Sequence, residues 1–174
     1  MNKAGEAEIV VRPESPSDAA AIRAVTTAAF VDAPHTDHTE QHIVDSLRKA
    51  GVLTISLVAE ETGAIVGHVA VSPVAVSDGS SGWYGLGPIS VIPERQRQGV
   101  GTRLMNAALR LLRGKGAAGC VLLGDPAYYS RFGFRAEPRV ALADVPPGYF
   151  LVLPFGASLP CGEVAYHASF SARG

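Results

Sequence analysis

The sequence predicts an α/β (α+β) fold in one domain, a mixed central sheet with helices on both faces, and three observations carry that prediction. Apolar residues alternate from Leu53 to Ala59 and two further strand-like runs follow, which is the pattern of an antiparallel meander. An amphipathic helix over 99–112 then leads into the continuous apolar run Cys120-Val121-Leu122-Leu123, as expected of a central strand covered on both sides. The chain has 174 residues, 47% of them hydrophobic, and a formal net charge of -1, which suits one globular domain spanning 1–174.

Each element has a local cause. Ala7-Glu8-Ile9-Val10-Val11-Arg12 reads as a first strand, and Ser15-Pro16-Ser17-Asp18 supplies an N-cap, a proline at the first helical position and an acid at the third. Ile22, Val25, Ala29 and Phe30 give the following helix one buried stripe. After Ala33-Pro34 a second helix is expected from Asp37, its cap, through Ile43 and Leu47 to a stop at Gly51. Glu60-Glu61-Thr62-Gly63 turns the first meander strand into a second, Ala64 to Val76, and the polar loop Ser77 to Gly82 returns the chain as a third, Trp83 to Ile92. The helix over 99–112 buries Val100, Leu104, Ala107, Ala108 and Leu111 and ends at Gly114-Lys115-Gly116. A strand, a helix and a strand in that order form a right-handed crossover, placing Ile89 to Ile92 parallel to Cys120 to Leu123. The Pro- and Gly-rich remainder has candidate C-terminal strands within 149–170, at Tyr149 to Leu153 and Glu163 to Phe170.

Composition narrows the function classes. With 15 Lys+Arg against 16 Asp+Glu there is no global positive excess for neutralising phosphates, so no nucleic-acid partner is expected. Met1 to Glu6 is too polar for a secretory signal, and the longest apolar stretch, Ala64 to Val76, is too short and too interrupted to cross a bilayer as a helix, so no membrane partner and a cytoplasmic location are expected. Cys120 and Cys161 read as reduced, buried thiols instead of a disulfide.

The chemistry concentrates in Ile89-Ser90-Val91-Ile92-Pro93-Glu94-Arg95-Gln96-Arg97-Gln98-Gly99-Val100-Gly101-Thr102. A strand ends at a proline, a polar turn follows, and two glycines open a helix, so unpaired amides face outward at the positive end of its dipole. Such a turn binds an anion. Gly99 and Gly101 let the backbone approach a diphosphate, and Arg95, Arg97 and Arg103 add charge, which points to a pyrophosphate-bearing cofactor. The dinucleotide fingerprint would need glycine where Leu104 stands, and a P-loop would need Ser or Thr after Lys115, where Gly116 stands.

Gln96-Arg97-Gln98-Gly99-Val100-Gly101 resembles the R/Q-x-x-G-x-G/A signature of the GCN5-related N-acetyltransferase (GNAT) superfamily, and Tyr129-Ser130-Arg131-Phe132-Gly133-Phe134 resembles its Y-x-x-x-G-F landmark. Leu86 to Gly101 together with Gly124-Asp125-Pro126-Ala127-Tyr128-Tyr129 is similar to the bacterial YhbS-like branch. The resemblance implies a cofactor-binding core over about 83–136, with acetyl-CoA as acetyl donor and no metal. Its pantetheine arm would pair with Ile89, Ser90 and Val91, and its pyrophosphate would sit on the amides from Arg97 to Thr102. The contacts implied are Ile89, Ser90, Val91, Gln96, Arg97, Gln98, Gly99, Val100, Gly101, Thr102, Tyr128, Tyr129 and Phe132. Gly87-Pro88 is the expected bulge that forces the strands apart.

What the family implies chemically is transfer of acetyl to a primary amine of a small molecule or peptide by direct attack in a ternary complex. The developing oxyanion needs a donor, for which the Val91 amide is the candidate, and the departing thiolate needs an acid, for which Tyr129 is the candidate and Tyr128 the runner-up. No base stands out: Asp125, Glu60 and His68 each have an ordinary structural explanation. The rival reading is a non-catalytic acyl-CoA-binding sensor or interaction module. His38 and His42, with His35 nearby, sit one turn apart if the second helix starts at Asp37, but they lack a third ligand. Exposed C-terminal strands could pair across a homodimer.

Overall fold

In the computed structural model, which describes residues 7–174, the alternating segments become strands and the 3.6-residue stripes become helices. Met1 to Glu6, the basis of the expectation about a secretory signal, lies outside the described residues. β1 (Ile9–Pro13) leads to α1 (Ala19–Phe30) and α2 (Glu40–Lys49), followed by β2 (Ile55–Glu61), β3 (Ala64–Pro73), β4 (Ala75–Val76) and β5 (Trp83–Val91). α3 (Val100–Gly114), β6 (Gly119–Leu123) and the single turn α4 (Pro126–Tyr129) come next, then β7 (Arg135–Ala136), β8 (Val140–Ala141), β9 (Phe150–Pro154) and β10 (Gly162–Ala165). Seven strands form the main sheet in the order β1-β2-β3-β5-β6-β9-β7, and β4-β10-β8 form a small second sheet.

Helices cover both faces because the strands of the meander carry apolar residues on both. Val58 of β2 packs with Ile22 of α1 and Val44 of α2 on one face. Its neighbours Leu57 and Ala59 point the other way and join Leu104, Ala108 and Leu112 of α3. Leu104 and Leu112 are fully buried, so truncating either to alanine would cost about 2–5 kcal/mol. At the entry to α1 the expected cap forms: the Ser15 N–H donates to Asp18 at 2.7 Å, and Arg12 on β1 pairs with the same carboxylate at 2.7 Å. The Arg12 guanidinium holds the Asp18 carboxyl well below the usual range.

Several expectations are corrected. α2 starts at Glu40 with Thr39 as N-cap; Asp37 caps nothing and lies 3.6 Å from Arg173. His38 therefore stands outside the helix, in a left-handed conformation with φ 57°, and is not one turn from His42 along it. The long strand from Ala64 breaks after Pro73, and its last two residues join the second sheet. Glu163 to Phe170 is half strand and half 3-10 turn. Cys161 is exposed, whereas Cys120 is buried. β9 and β10 are each flanked by two strands, so neither offers the free edge on which a dimer was expected to form. Among the described residues no helix is long and apolar enough to cross a membrane.

The crossover carries the most informative feature. β5 and β6 are parallel, but they pair only through Trp83, Tyr84 and Gly85 with Gly119, Cys120 and Val121. Ile89 to Val91 do not pair with β6 at all: the strands run parallel, as the crossover predicts, and part where the bulge at Gly87-Pro88 was expected to force them apart. The cause is local: between Val69 and Val71 of β3 the partner on β5 jumps from Ile89 to Leu86, one residue more than a regular ladder allows. The extra residue falls at Gly87-Pro88, the bulge read from the sequence, where Gly87 has φ 143° and proline has no N–H to donate.

Candidate active site

Beyond the bulge, β5 and β6 separate and leave an open gap floored by Ile89 and Val91. The Ile92 N–H donates to Val66 O on β3 at 2.9 Å. Amides along a strand point alternately to its two sides, so those of Val91 and Ile89 face away from β3 and into the gap. The Val91 carbonyl, on that same side, accepts a hydrogen bond from the Gln96 side chain at 3.0 Å. A strand whose polar groups look into a gap can take up an extended, amide-bearing ligand as it would a neighbouring strand.

At the end of β5 the turn 93–99 feeds α3. Arg97 adopts a left-handed conformation with φ 62°, and Gly99, the N-cap, has φ 84°, where a side chain would be strained. The first bond of α3 runs from the Arg103 N–H to Gly99 O at 3.1 Å, and no side chain caps the helix. The amides of Val100, Gly101 and Thr102 therefore have no acceptor within the helix, at the end where its dipole is positive. A Cβ added at Gly101 would come 3.7 Å from the Tyr128 hydroxyl and 3.8 Å from Val91 Cγ2, so glycine keeps the helix start open towards both.

The far wall is α4 and the 3-10 turn after it. Asp125 caps α4 by accepting from the Ala127 N–H at 2.9 Å, and the turn ends at Gly133, whose φ of 94° sends Phe134 into the core at 1% exposure. This is the physical content of the aromatic motif: a left-handed glycine reverses the chain so that one aromatic anchors and another faces the gap. Tyr129 packs edge-on against Tyr128 with ring centroids 4.9 Å apart and against Phe134 at 6.3 Å. Burial, with a smaller contribution from Tyr128, raises the Tyr129 phenol above its ordinary pKa, so it is a protonated donor at neutral pH. The Arg131 guanidinium lies 4.3 Å above the Tyr128 ring, and its Nε donates to Tyr128 O at 3.0 Å.

These elements enclose a groove of about 600 Å³ lined by Ile89, Val91, Arg95, Gln96, Arg97, Gly99, Gly101, Thr102, Tyr128, Tyr129 and Arg131. Four residues expected there are not on its wall. Ser90 is 2% exposed, with its Oγ unpartnered on the opposite face of β5, beside His68 in register. Val100 is buried in the core, Gln98 folds back onto Glu94 O at 3.1 Å, and Phe132 lines a neighbouring hollow with Arg110, Arg113 and Arg131. Arg131 was not singled out as a site residue, although it stands inside the aromatic motif. Arg103 does not reach the groove, and Arg95 is shared with Glu61 at 2.8 Å.

A second cavity, about 500 Å³, lies on the α1–α2 side of the sheet. It meets the first at Ile89 and Tyr129, which line both. The three candidate bases are engaged elsewhere: Glu60 pairs with Arg12 at 2.8 Å and Asp125 caps α4. His68 is fully buried, bonded to Ser56 at 2.8 Å, and pushed down to about 3 chiefly by burial and secondarily by Arg48, so it is neutral. Among the described residues no group of three or more His, Cys, Asp or Glu is placed to hold a metal ion.

Comparison with known proteins agrees with this geometry. Residues 20–134 match the model of the Acetyltransferase (GNAT) family. The chain is 39% identical over 127 residues to the Escherichia coli K12 N-acetyltransferase YhbS, covering 72% of this chain and 73% of that one. A Brucella melitensis GNAT family acetyltransferase solved in complex with acetyl-CoA is 50% identical, with a TM-score of 0.85 over 95% of this chain and 99% of that one. The E. coli YhbS structure in complex with CoA has 31% identity and a TM-score of 0.89 over 100% and 98%.

Proposed function

Because the chain belongs to the GNAT acetyltransferase family, we propose that it moves the acetyl group of acetyl-CoA to a primary amine of a small molecule or peptide, by direct attack in a ternary complex. The observation that carries this reading is the gap itself: a strand with inward-facing amides, an uncapped helix start and a protonated phenol converge on one groove.

When bound, acetyl-CoA supplies an activated thioester. The amides of Val100, Gly101 and Thr102 would hold its diphosphate, with Arg97 and Arg131 adding charge from the two walls. Ile89 and Val91 would pair with its amide-bearing arm, which draws the thioester to the junction of the two cavities. There the Val91 N–H would donate to the carbonyl oxygen as negative charge develops. The amine nitrogen bonds to the acetyl carbon, the C–S bond breaks, and Tyr129 gives its proton to the departing sulfur while the amine releases its own to water. The two thiols, neither in a disulfide, accord with the cytoplasmic setting expected from the sequence.

The sensor reading draws on one observation, that Glu60, Asp125 and His68 are all occupied structurally. Thiol release from acetyl-CoA in the presence of small amines, polyamines, aminoglycosides and peptides decides between the two. Acetyl-CoA binding with amine-dependent thiol release supports the transferase; binding without release for any amine supports the sensor.

A further inference from the structure

The second cavity has a chemistry of its own. Its walls are apolar: Phe30 and Ile43 come from the helices, Leu122 from β6, Leu142 from the loop after β8, and Phe170 from the C-terminal turn. Among the described residues that line it, three have polar side chains: Glu40, Tyr129 and Tyr166. Two of these are committed. Thr36 Oγ1 donates to Glu40 Oε1 and Glu40 Oε2 is enclosed by protein, so that carboxylate serves the turn before α2, while Tyr129 borders the cofactor groove as the proposed proton donor. Tyr166 remains. Its ring lies across Gly85, the last residue of β5 that pairs with β6, where a Cβ would collide with Tyr166 Cε1. Phe170 holds the ring from another side, tilted at 55° with centroids 4.7 Å apart. No hydrogen bond among the described residues engages the Tyr166 hydroxyl, and burial, with a smaller contribution from Cys120, raises the phenol above its ordinary pKa, so it is a protonated donor. A buried hydroxyl in that state is costly until a ligand bonds to it.

From this arrangement we infer that the acceptor is an amine with an uncharged, largely apolar body bearing one hydroxyl or carbonyl group, and that Tyr166 selects it by a hydrogen bond to that group. The inference rests on the acetyltransferase reading and names the substrate class for it. The nitrogen attacks the thioester, so it has to lie where Ile89 and Tyr129 border both cavities, and the rest of the molecule extends into the helix-side cavity. There a second ammonium, as in a polyamine, would lose its water against Phe30, Ile43 and Leu142 without a free carboxylate oxygen to receive it. A hydroxyl or carbonyl loses its water too but regains a partner in Tyr166. The volume, about 500 Å³, suits a small molecule, and Phe170 and Tyr166 offer aromatic surface to an aryl group.

The test compares 2-phenylethylamine with tyramine and its meta-hydroxy isomer, which differ from it by one hydroxyl, in the thiol-release assay on wild type and Tyr166→Phe. Phenylalanine keeps the ring on Gly85 and removes only the hydroxyl. Wild type should use the better of the two hydroxylated amines with a kcat/KM about fivefold above that for 2-phenylethylamine, the worth of one uncharged hydrogen bond. Tyr166→Phe should erase that advantage through KM while leaving 2-phenylethylamine and the affinity for acetyl-CoA unchanged. An advantage retained in Tyr166→Phe, an equal loss for all three amines, or a wild-type preference for spermidine over all of them overturns the inference. Calorimetry of the hydroxylated amines on the CoA-loaded protein separates it from the underlying reading. Binding that weakens about fivefold in Tyr166→Phe, without thiol release from wild type, upholds the role of Tyr166 and refutes transfer alone. Thiol release with other amines, but neither binding nor turnover of the hydroxylated pair, refutes the role of Tyr166 and leaves transfer standing.

Discussion

Gly124, by having no side chain, makes room for the ring of Tyr129, the proposed proton donor. It sits between β6 and α4, and the Tyr129 ring lies directly on it: a Cβ at Gly124 would be 2.6 Å from Tyr129 Cδ2 and 3.3 Å from Cζ. Ordinary contact begins at 3.4 Å, so in Gly124→Ala the ring has to retreat by about 1 Å. Gly124 is not in a left-handed conformation, so alanine fits its backbone and the perturbation falls on the ring. Tyr128, Phe132 and Phe134 surround Tyr129 with centroids 4.9, 6.5 and 6.3 Å away, which leaves retreat towards the groove as the open direction. A displacement of this size at a reacting group costs about 10²-fold in rate. Overpacking should cost about 1–3 kcal/mol of stability, read separately by denaturant unfolding. Steady-state thiol release should therefore show kcat down about 10²-fold with acetyl-CoA affinity within a few fold of wild type. The double variant Gly124→Ala/Tyr129→Phe should be little worse than Tyr129→Phe alone, because both act through one hydroxyl. An unchanged kcat in Gly124→Ala, or fully additive losses in the double variant, would refute the role given to Tyr129.

Three further outcomes are expected. Tyr129→Phe should lower kcat by about 10²–10⁴-fold while leaving the Kd for acetyl-CoA nearly unchanged, measured by calorimetry; a matching loss of affinity would make Tyr129 a binding residue. Gly101→Ala fits at 3.7 Å from the Tyr128 hydroxyl and should retain the cofactor, whereas Gly101→Trp projects into the groove and should abolish detectable acetyl-CoA binding; retained affinity in the tryptophan variant would remove the helix start from the site. His68 should make the fold acid-sensitive. Its folded pKa of about 3 lies below the ordinary 6.5, so between these values the unfolded chain binds a proton that the native state refuses, and stability falls as pH falls. From pH 6.5 to 5 the loss should be about 1.6 kcal/mol in urea unfolding and should be absent in His68→Gln; an equal loss in that variant would assign the sensitivity elsewhere. The depressed Asp18 carboxyl acts in a separate window, since its stabilisation is lost only below about pH 4.

What the sequence disclosed and what it concealed divide along physical lines. The capping box at Ser15 and Asp18, the meander, the bulge at Gly87-Pro88 and the glycine-opened helix are set by neighbours in the chain, so local pattern reveals them. The two-residue strands β4, β7 and β8 have too few residues to show a period and exist because β9 and β10 reach them from far along the sequence. α2 begins at Glu40 and not Asp37 because Thr36 to His38 turn on themselves, the His38 N–H donating to Thr36 Oγ1 at 2.9 Å with His38 left-handed. Ser90 illustrates the limit of motif reasoning: strand alternation turns its amide towards β3 and its side chain away from the groove, leaving Ile89 and Val91 to face it.

The same bulge explains why two sites of different character open onto one another. Continued pairing of β5 with β6 past Gly85 and Val121 would bring Leu86 and Gly87 against Leu122 and Leu123 and Ile89 against Asp125, and the gap would close. One extra residue at Gly87-Pro88 instead leaves the Val91 amide unpaired on the cofactor side and uncovers Leu122 and half-exposed Leu123 to the cavity on the helix side. A deletion that restored the regular ladder would thus be expected to abolish acetyl-CoA binding and amine binding together, while Gly101→Trp should remove the first and spare the second. Calorimetry of both ligands on both variants distinguishes the shared origin of the two cavities from two independent sites, since independent sites would lose one ligand each.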